Sequence, residues 1–352
     1  MALLALGGAS LLAGLDAALG RAGVWAPVES PRLASLHGVV MVLGFLGAVI
    51  ALERAQALGT SWALLAPATL AAGSLALVAG APVVVGALLL AQGCAVFLAV
   101  YVALWRRAHA EVVAVEGLGA VAALLAAVLW LWAPIPAIVC LLVTFVVLTI
   151  AAERTELAFL TMGAGAPRRL LLLGSALTLA ALLTVAWPAG GTRVFGVVLL
   201  VLAAWLVRDD VARRFVRTEG LRRFAAAALL AGYAWLAVAG LVWLVGGVPV
   251  GPAYDVAVHG VFLGFGMSMV VAHAPTILPA VVGARLPYGP VSWGPLVLLH
   301  AGLAVRVAGD VAVATGGGDL LFRWGSALTV LAVLLFVVVS FVLVVTARAR
   351  VR

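Results

Sequence analysis

The sequence contains no lysine, only two cysteines and five histidines, and charged residues make up just 10% of its 352 positions. Each scarcity excludes something. With so little charge and 66% hydrophobic residues, the chain cannot present the surface of a soluble globular domain, whose apolar share is nearer half. Cys94 and Cys140 both lie inside apolar runs, where a thiol behaves as a small hydrophobe, so they imply neither a disulfide framework nor a metal knuckle. The 21 positive side chains are all arginine and are spread through short loops. The net charge of +8 is therefore a topology signal and not a nucleic-acid footprint. No polar block is large enough to fold separately, which leaves one helical domain over residues 1–352 whose main partner is the lipid bilayer.

A membrane span needs roughly 20 apolar residues, and breaking the chain at glycine, proline and charge clusters gives twelve. They cover approximately 2–20, 33–52, 62–81, 83–105, 112–132, 135–152, 169–187, 192–208, 222–246, 254–279, 291–310 and 322–346. The first lacks the basic start and small-residue cleavage site of a signal peptide and is read as a helix. Sixteen arginines, among them Arg54, Arg106, Arg154, Arg213, Arg285, Arg348, Arg350 and Arg352, follow even-numbered spans. Only Arg21, Arg32, Arg193 and Arg323 fall on the other side, and Arg306 lies within a span. Positive charge accumulates in cytoplasmic loops, so both termini are expected in the cytoplasm of a bacterial-type inner membrane. A weak repeat joins Leu52-Glu53-Arg54 at the end of span 2 to Ala152-Glu153-Arg154 at the end of span 6. It suggests three four-helix units over 1–105, 112–208 and 222–346.

The chemistry concentrates on two stretches, His37-Gly38-Val39-Val40-Met41-Val42-Leu43-Gly44-Phe45 in span 2 and His259-Gly260-Val261-Phe262-Leu263-Gly264-Phe265 in span 10. An ionisable residue within a bilayer is by default a site hypothesis. Both spans enter from the same side, and at about 1.5 Å per residue both histidines lie about 7 Å deep. Level imidazoles on different helices can bracket a flat macrocycle. Gly38, Gly44, Gly47, Gly260, Gly264 and Gly266 leave room either for a porphyrin or for close helix packing. Arg306 is expected at a similar depth and needs an anionic partner, either a haem propionate or Asp310, four residues along the same helix. His273 lies about 21 Å along the helix from His259 and cannot share its iron. With Glu53, Glu153 and Glu156 it forms either an oxygen-rich metal set, for copper or another ion, or a Glu–Arg salt-bridge collar. His300 in span 11 and Glu116 in span 5 are placed to relay protons or to serve as a second ligand, and His109 reads as a loop residue.

His37-Gly38-Val39-Val40-Met41 resembles the helix-2 motif of haem-copper oxidase catalytic subunits, which have twelve helices in a pseudo-threefold array and ligate a low-spin haem from helices 2 and 10. A closer resemblance is to the NnrS family of haem- and copper-containing membrane proteins linked to nitric oxide, through His37, Met41, Gly44-Phe45, Ala231-Gly232-Tyr233-Ala234-Trp235, His259 and the Arg306 region. These resemblances imply an all-α, haem-copper-oxidase-like fold with one haem b. His37 and His259 are then the iron ligands, with Met41 and Arg306 beside the cofactor. They also imply a role in nitric oxide or nitrosative-stress metabolism or in membrane electron transfer, with nitric oxide as ligand and a redox partner or quinol. The chain departs from both families. It has no histidine between His109 and His259, so the oxidase copper positions on helices 6 and 7 are unfilled and oxygen reduction is not expected. Val40 stands where the NnrS-like motif is acidic. Two other readings stay open: an oxidoreductase subunit resembling nitric oxide reductases, with a second metal at the rim, and a transporter whose intramembrane His and Arg handle substrate or protons.

Overall fold

The computed structural model describes residues 2–282 and 286–349; Arg285, Arg350 and Arg352 of the topology argument lie outside the described residues, as does the side chain of Arg348. Among the described residues twelve helices are long and apolar enough to cross a membrane: α1 (Ala2–Arg21), α2 (Pro31–Leu58), α3 (Ser61–Val78), α4 (Val83–Ala108), α5 (Glu111–Leu129), α6 (Ile135–Leu157), α7 (Ala166–Ala186), α8 (Pro188–Asp209), α9 (Gly220–Gly246), α10 (Gly251–Thr276), α11 (Pro290–Ala314) and α12 (Leu320–Ala347). The chain is an all-α, multi-pass membrane protein. Helices are the natural solution, because in hydrocarbon every main-chain polar group must be paired within its own segment.

Local signals place the helix ends. Ser30 caps α2, its hydroxyl accepting from the Leu33 amide at 3.2 Å, and Pro31 occupies the first turn, where its missing N–H costs nothing. Gly59 closes the same helix in the left-handed conformation at φ 75°. At the end of α4, His109 takes that role at φ 50°, its ring 5.0 Å from Trp105. The largest departures from the expected boundaries are at α2 and α6, which run five or six residues past the expected ends at 52 and 152. Glu53, Arg54, Glu153 and Arg154 are thus helix residues and not loop residues. Their charges looked like the start of a loop, but Arg54 pairs with both glutamates.

The described chain forms two compact units, residues 1–157 with 165–191, and residues 158–164 with 192–352. In the first, α6 is the most enclosed helix, with 83% of its apolar window buried, and in the second it is α10, at 72%. By contrast α12 buries only 28% and turns Leu331, Val338 and Phe341 outward, as a lipid-facing helix should. Small residues bring helices together at the main chain. A side chain on Gly325 of α12 would collide with the Arg306 main chain, and one on Gly309 of α11 with that of Phe322.

Both histidine helices are irregular at the same place. Val40–Gly47 in α2 and Gly260–Met267 in α10 are π-helical, eight residues each. A π-turn bonds residue i to i+5 and is frequent at functional sites. It also breaks the 3.6-residue count, so helix faces cannot be projected from His259 to His273 as in a regular helix.

Candidate functional site

In the first unit, His37 sits in the last α-helical turn before the π segment. Its Nδ1 lies 2.8 Å from the Gly14 carbonyl of α1. Met41 rests on the same residue, since a side chain on Gly14 would meet the Met41 thioether. The absent Cβ of Gly14 thus admits both residues to one spot on α1. Gly44, read as room for a porphyrin or as packing, lies against the Ser74 side chain of α3, which is the packing arrangement.

In the second unit, His259 is the last α-helical residue before its own π segment, whereas Gly38 and Val39 separate His37 from the first. The His259 Nδ1 is 3.0 Å from the Asp255 carbonyl and 3.1 Å from Asp255 Oδ1. Arg306 donates from Nε and Nη2 to the two Asp255 oxygens at 2.7 and 2.8 Å and from Nη1 to Ser326 Oγ at 2.8 Å. The guanidinium also lies 4.8 Å from the centre of the Phe322 ring. Its anionic partner is therefore the Asp255 carboxylate of α10, rather than Asp310 on its own helix. Asp310 stands beside Asp255, is 4% exposed, and its Oδ2 has no hydrogen-bond partner. Asp255 lies four residues before His259, yet its pairing with Arg306 spans 51 residues and has no local sequence signature. Gly264 packs on the Trp235 ring and Gly260 lies 3.3 Å, measured from an added Cβ, from the Trp235 carbonyl.

The remaining candidates divide sharply. His300 is held at both ring nitrogens: Trp235 Nε1 donates to Nδ1 at 3.1 Å, and Nε2 lies 3.3 Å from Ser268 Oγ, which itself donates to the Gly264 carbonyl. A metal at His300 would have to displace one of these bonds. His273 is buried, with Nδ1 2.9 Å from the Met269 carbonyl. Glu53 and Glu153 do come together, around Arg54, and Glu116 of α5 joins them: the guanidinium lies 3.1, 2.8 and 3.3 Å from the three carboxylates. Glu156 is at the exposed side of α6. Among the described residues no group of three or more His, Cys, Asp or Glu side chains is arranged to hold a metal ion.

Fold and site together define a polytopic helical membrane protein with π-bulged histidine helices and, in each of its two units, a largely enclosed arginine paired with carboxylate. The chain matches the model of a domain of unknown function (DUF8744) over residues 1–345 and belongs to that family. No curated protein matches it.

Proposed function

We propose that this is a membrane haem protein in which His37 and His259 each ligate haem iron. The observation that carries the reading is the likeness of the two helices: each has a histidine of a His-Gly pair within three residues of the start of an eight-residue π segment. In each, Nδ1 is held by a main-chain carbonyl. Metal-ligating histidines usually bind through one ring nitrogen while the other is fixed by a carbonyl or carboxylate, which sets the tautomer and raises ligand basicity. The donor set therefore fits haem, with Nε2 as the ligating atom. Gly14 orients His37 and Asp255 orients His259, the latter with a carboxylate that strengthens the imidazole as a donor. Arg306 serves the site by fixing Asp255. A haem bound here supplies one-electron chemistry or, where an axial ligand is weak, a site for a diatomic gas. The assignment to nitric oxide or nitrosative-stress metabolism, or to electron transfer, follows the NnrS-like resemblance. The cytoplasmic placement of both termini follows the arginine distribution. The test is the absorbance spectrum of the purified protein, oxidised and reduced. A Soret band lost in His37→Ala and in His259→Ala supports the reading, and a colourless, folded wild type refutes it.

A second reading, a carrier or relay of protons, is favoured by the two places where carboxylates outnumber the arginine they face: Glu53, Glu116 and Glu153 at Arg54, and Asp255 and Asp310 at Arg306. In reconstituted vesicles it calls for proton movement sensitive to Asp310→Asn, and a protein with a haem spectrum and no proton movement would dismiss it.

A further inference from the structure

The Arg54 cluster in the first unit lies outside the haem reading and has a charge problem of its own. Three glutamates, Glu53, Glu116 and Glu153, meet one arginine. All four groups, with Tyr101, lie within four to seven residues of the ends of α2, α4 and α6 and the start of α5, roughly 6–10 Å below one membrane face at about 1.5 Å per residue. Ionised together, the three carboxylates outnumber the guanidinium they meet, in a region where ions are costly. The Glu53 and Glu153 carboxyls are gathered on the same guanidinium, and two carboxyl groups can share a hydrogen bond only when one carries a proton.

An independent observation points into the same cluster. The Tyr101 side chain is 1% exposed, its hydroxyl has no hydrogen-bond partner, and it lies in the field of Glu116, Arg54, Glu53 and Glu153. Glu116, 2% exposed, likewise has an Oε1 with no hydrogen bond: Arg54 is 3.3 Å away, an ion pair without hydrogen-bond alignment. Unsatisfied buried groups of this kind call for an explanation. Exposure falls steadily along the cluster, from 21% at Glu53 through 15% at Glu153 and 12% at Arg54 to 2% at Glu116. That gradient gives an entrance at Glu53 and an inner end at Glu116 and Tyr101. Two further charged residues of α6 lie beside these: Glu156, whose charge reaches Glu116, and the buried Arg154, next to Glu153 in the chain.

We infer that the Arg54 cluster is a proton-binding site, in which Glu53, Glu116 and Glu153 share one arginine and hold an exchangeable proton taken from the membrane face nearest Glu53. On uptake an O–H bond forms on a glutamate carboxylate while hydronium at that face gives up its proton, and no electrons move. Arg54 keeps the remaining carboxylates paired, and the unpartnered Tyr101 hydroxyl is the donor available to the inner carboxyl. The site needs no haem.

The test is infrared difference spectroscopy of the full chain in lipid nanodiscs, stepping pH. The wild type should show the C=O stretch of a neutral carboxyl group at about pH 7, where an ordinary glutamate with pKa about 4.3 is almost wholly ionised, and that band should shift in deuterium oxide. Glu53→Gln and Glu153→Gln should each remove most of it, the exposed Glu111→Gln should leave it intact, and Tyr101→Phe should move its titration midpoint. A band absent from the wild type, or unchanged in Glu53→Gln, Glu116→Gln and Glu153→Gln alike, overturns the inference, as does an unmoved midpoint in Tyr101→Phe. Loss of the band when sodium replaces choline at fixed pH would reassign the site to a metal cation. If a glutamine variant fails to fold, the deuterium shift and Tyr101→Phe still decide. A colourless protein that keeps the band would refute the haem proposal alone.

Discussion

Arg54 and Arg306 meet the same difficulty, a permanent positive charge in a medium that solvates it poorly, by pairing with carboxylate from at least one other helix. The Asp255–Arg306 pair is bidentate and largely enclosed, the Arg306 side chain being 7% exposed. Breaking such a pair by removing one member costs about 3–5 kcal/mol, because the partner charge is left buried, whereas replacing both members is far milder. Arg306→Ala should therefore be strongly destabilising, and Asp255→Ala combined with Arg306→Ala should recover much of the loss. The chain carries its own reporter for this measurement. Cys94 and Cys140 are the two cysteines and both are buried, so their reaction with a thiol dye on heating follows unfolding. A double variant as unstable as the sum of the two single ones would show that the pair is not coupled. His300 offers a second test at this scale. Its imidazole accepts from Trp235, and His300→Leu should lower stability by about 1–3 kcal/mol through the buried indole N–H left without a partner.

At the scale of elements, the carboxylate–arginine geometry depends on how closely α11 and α12 approach. Gly325 lies against the Arg306 main chain, so the contact is backbone to backbone and no side-chain rotation can relieve a bulkier residue. Gly325→Ala should cost about 1–3 kcal/mol, the usual range for overpacking, and should weaken the Arg306–Asp255 pair as α11 is displaced. Gly8 of α1 has open space around it. There an added methyl meets nothing, and Gly8→Ala should be neutral or stabilise by about 0.5–1 kcal/mol through helix propensity. Equal melting shifts for the two variants would contradict this account. The π segments belong to this scale as well. Nothing in Val40–Gly47 or Gly260–Met267 announces a π-helix to a residue-by-residue reading, because apolar residues and glycines suit an α-helix in lipid equally well.

For the molecule as a whole, the membrane decides which surfaces are apolar. Leu331, near the middle of α12, is 52% exposed; Leu331→Arg should impair membrane integration by about 2.5–3.5 kcal/mol, read as the inserted fraction in a translocation assay. Trp25, 76% exposed in the segment joining α1 and α2, should accept arginine without loss. Equal insertion of both variants would place α12 away from lipid. That the protein has twelve spans, and nearly where each begins, was legible from composition alone, because a bilayer demands about 20 apolar residues per crossing and tolerates few charges between. His37 and His259 stood out for the same reason, as ionisable groups in apolar runs. The sequence by itself thus determined the class of protein, the helix count and the residues that demand explanation. Tertiary structure decided their partners: Asp255 for Arg306, Gly14 for His37, Trp235 and Ser268 for His300, and Glu116 for Arg54. Those pairings join residues on different helices, and a charge or an imidazole in lipid is satisfied by whatever the packed bundle brings within hydrogen-bonding distance, which no local pattern records.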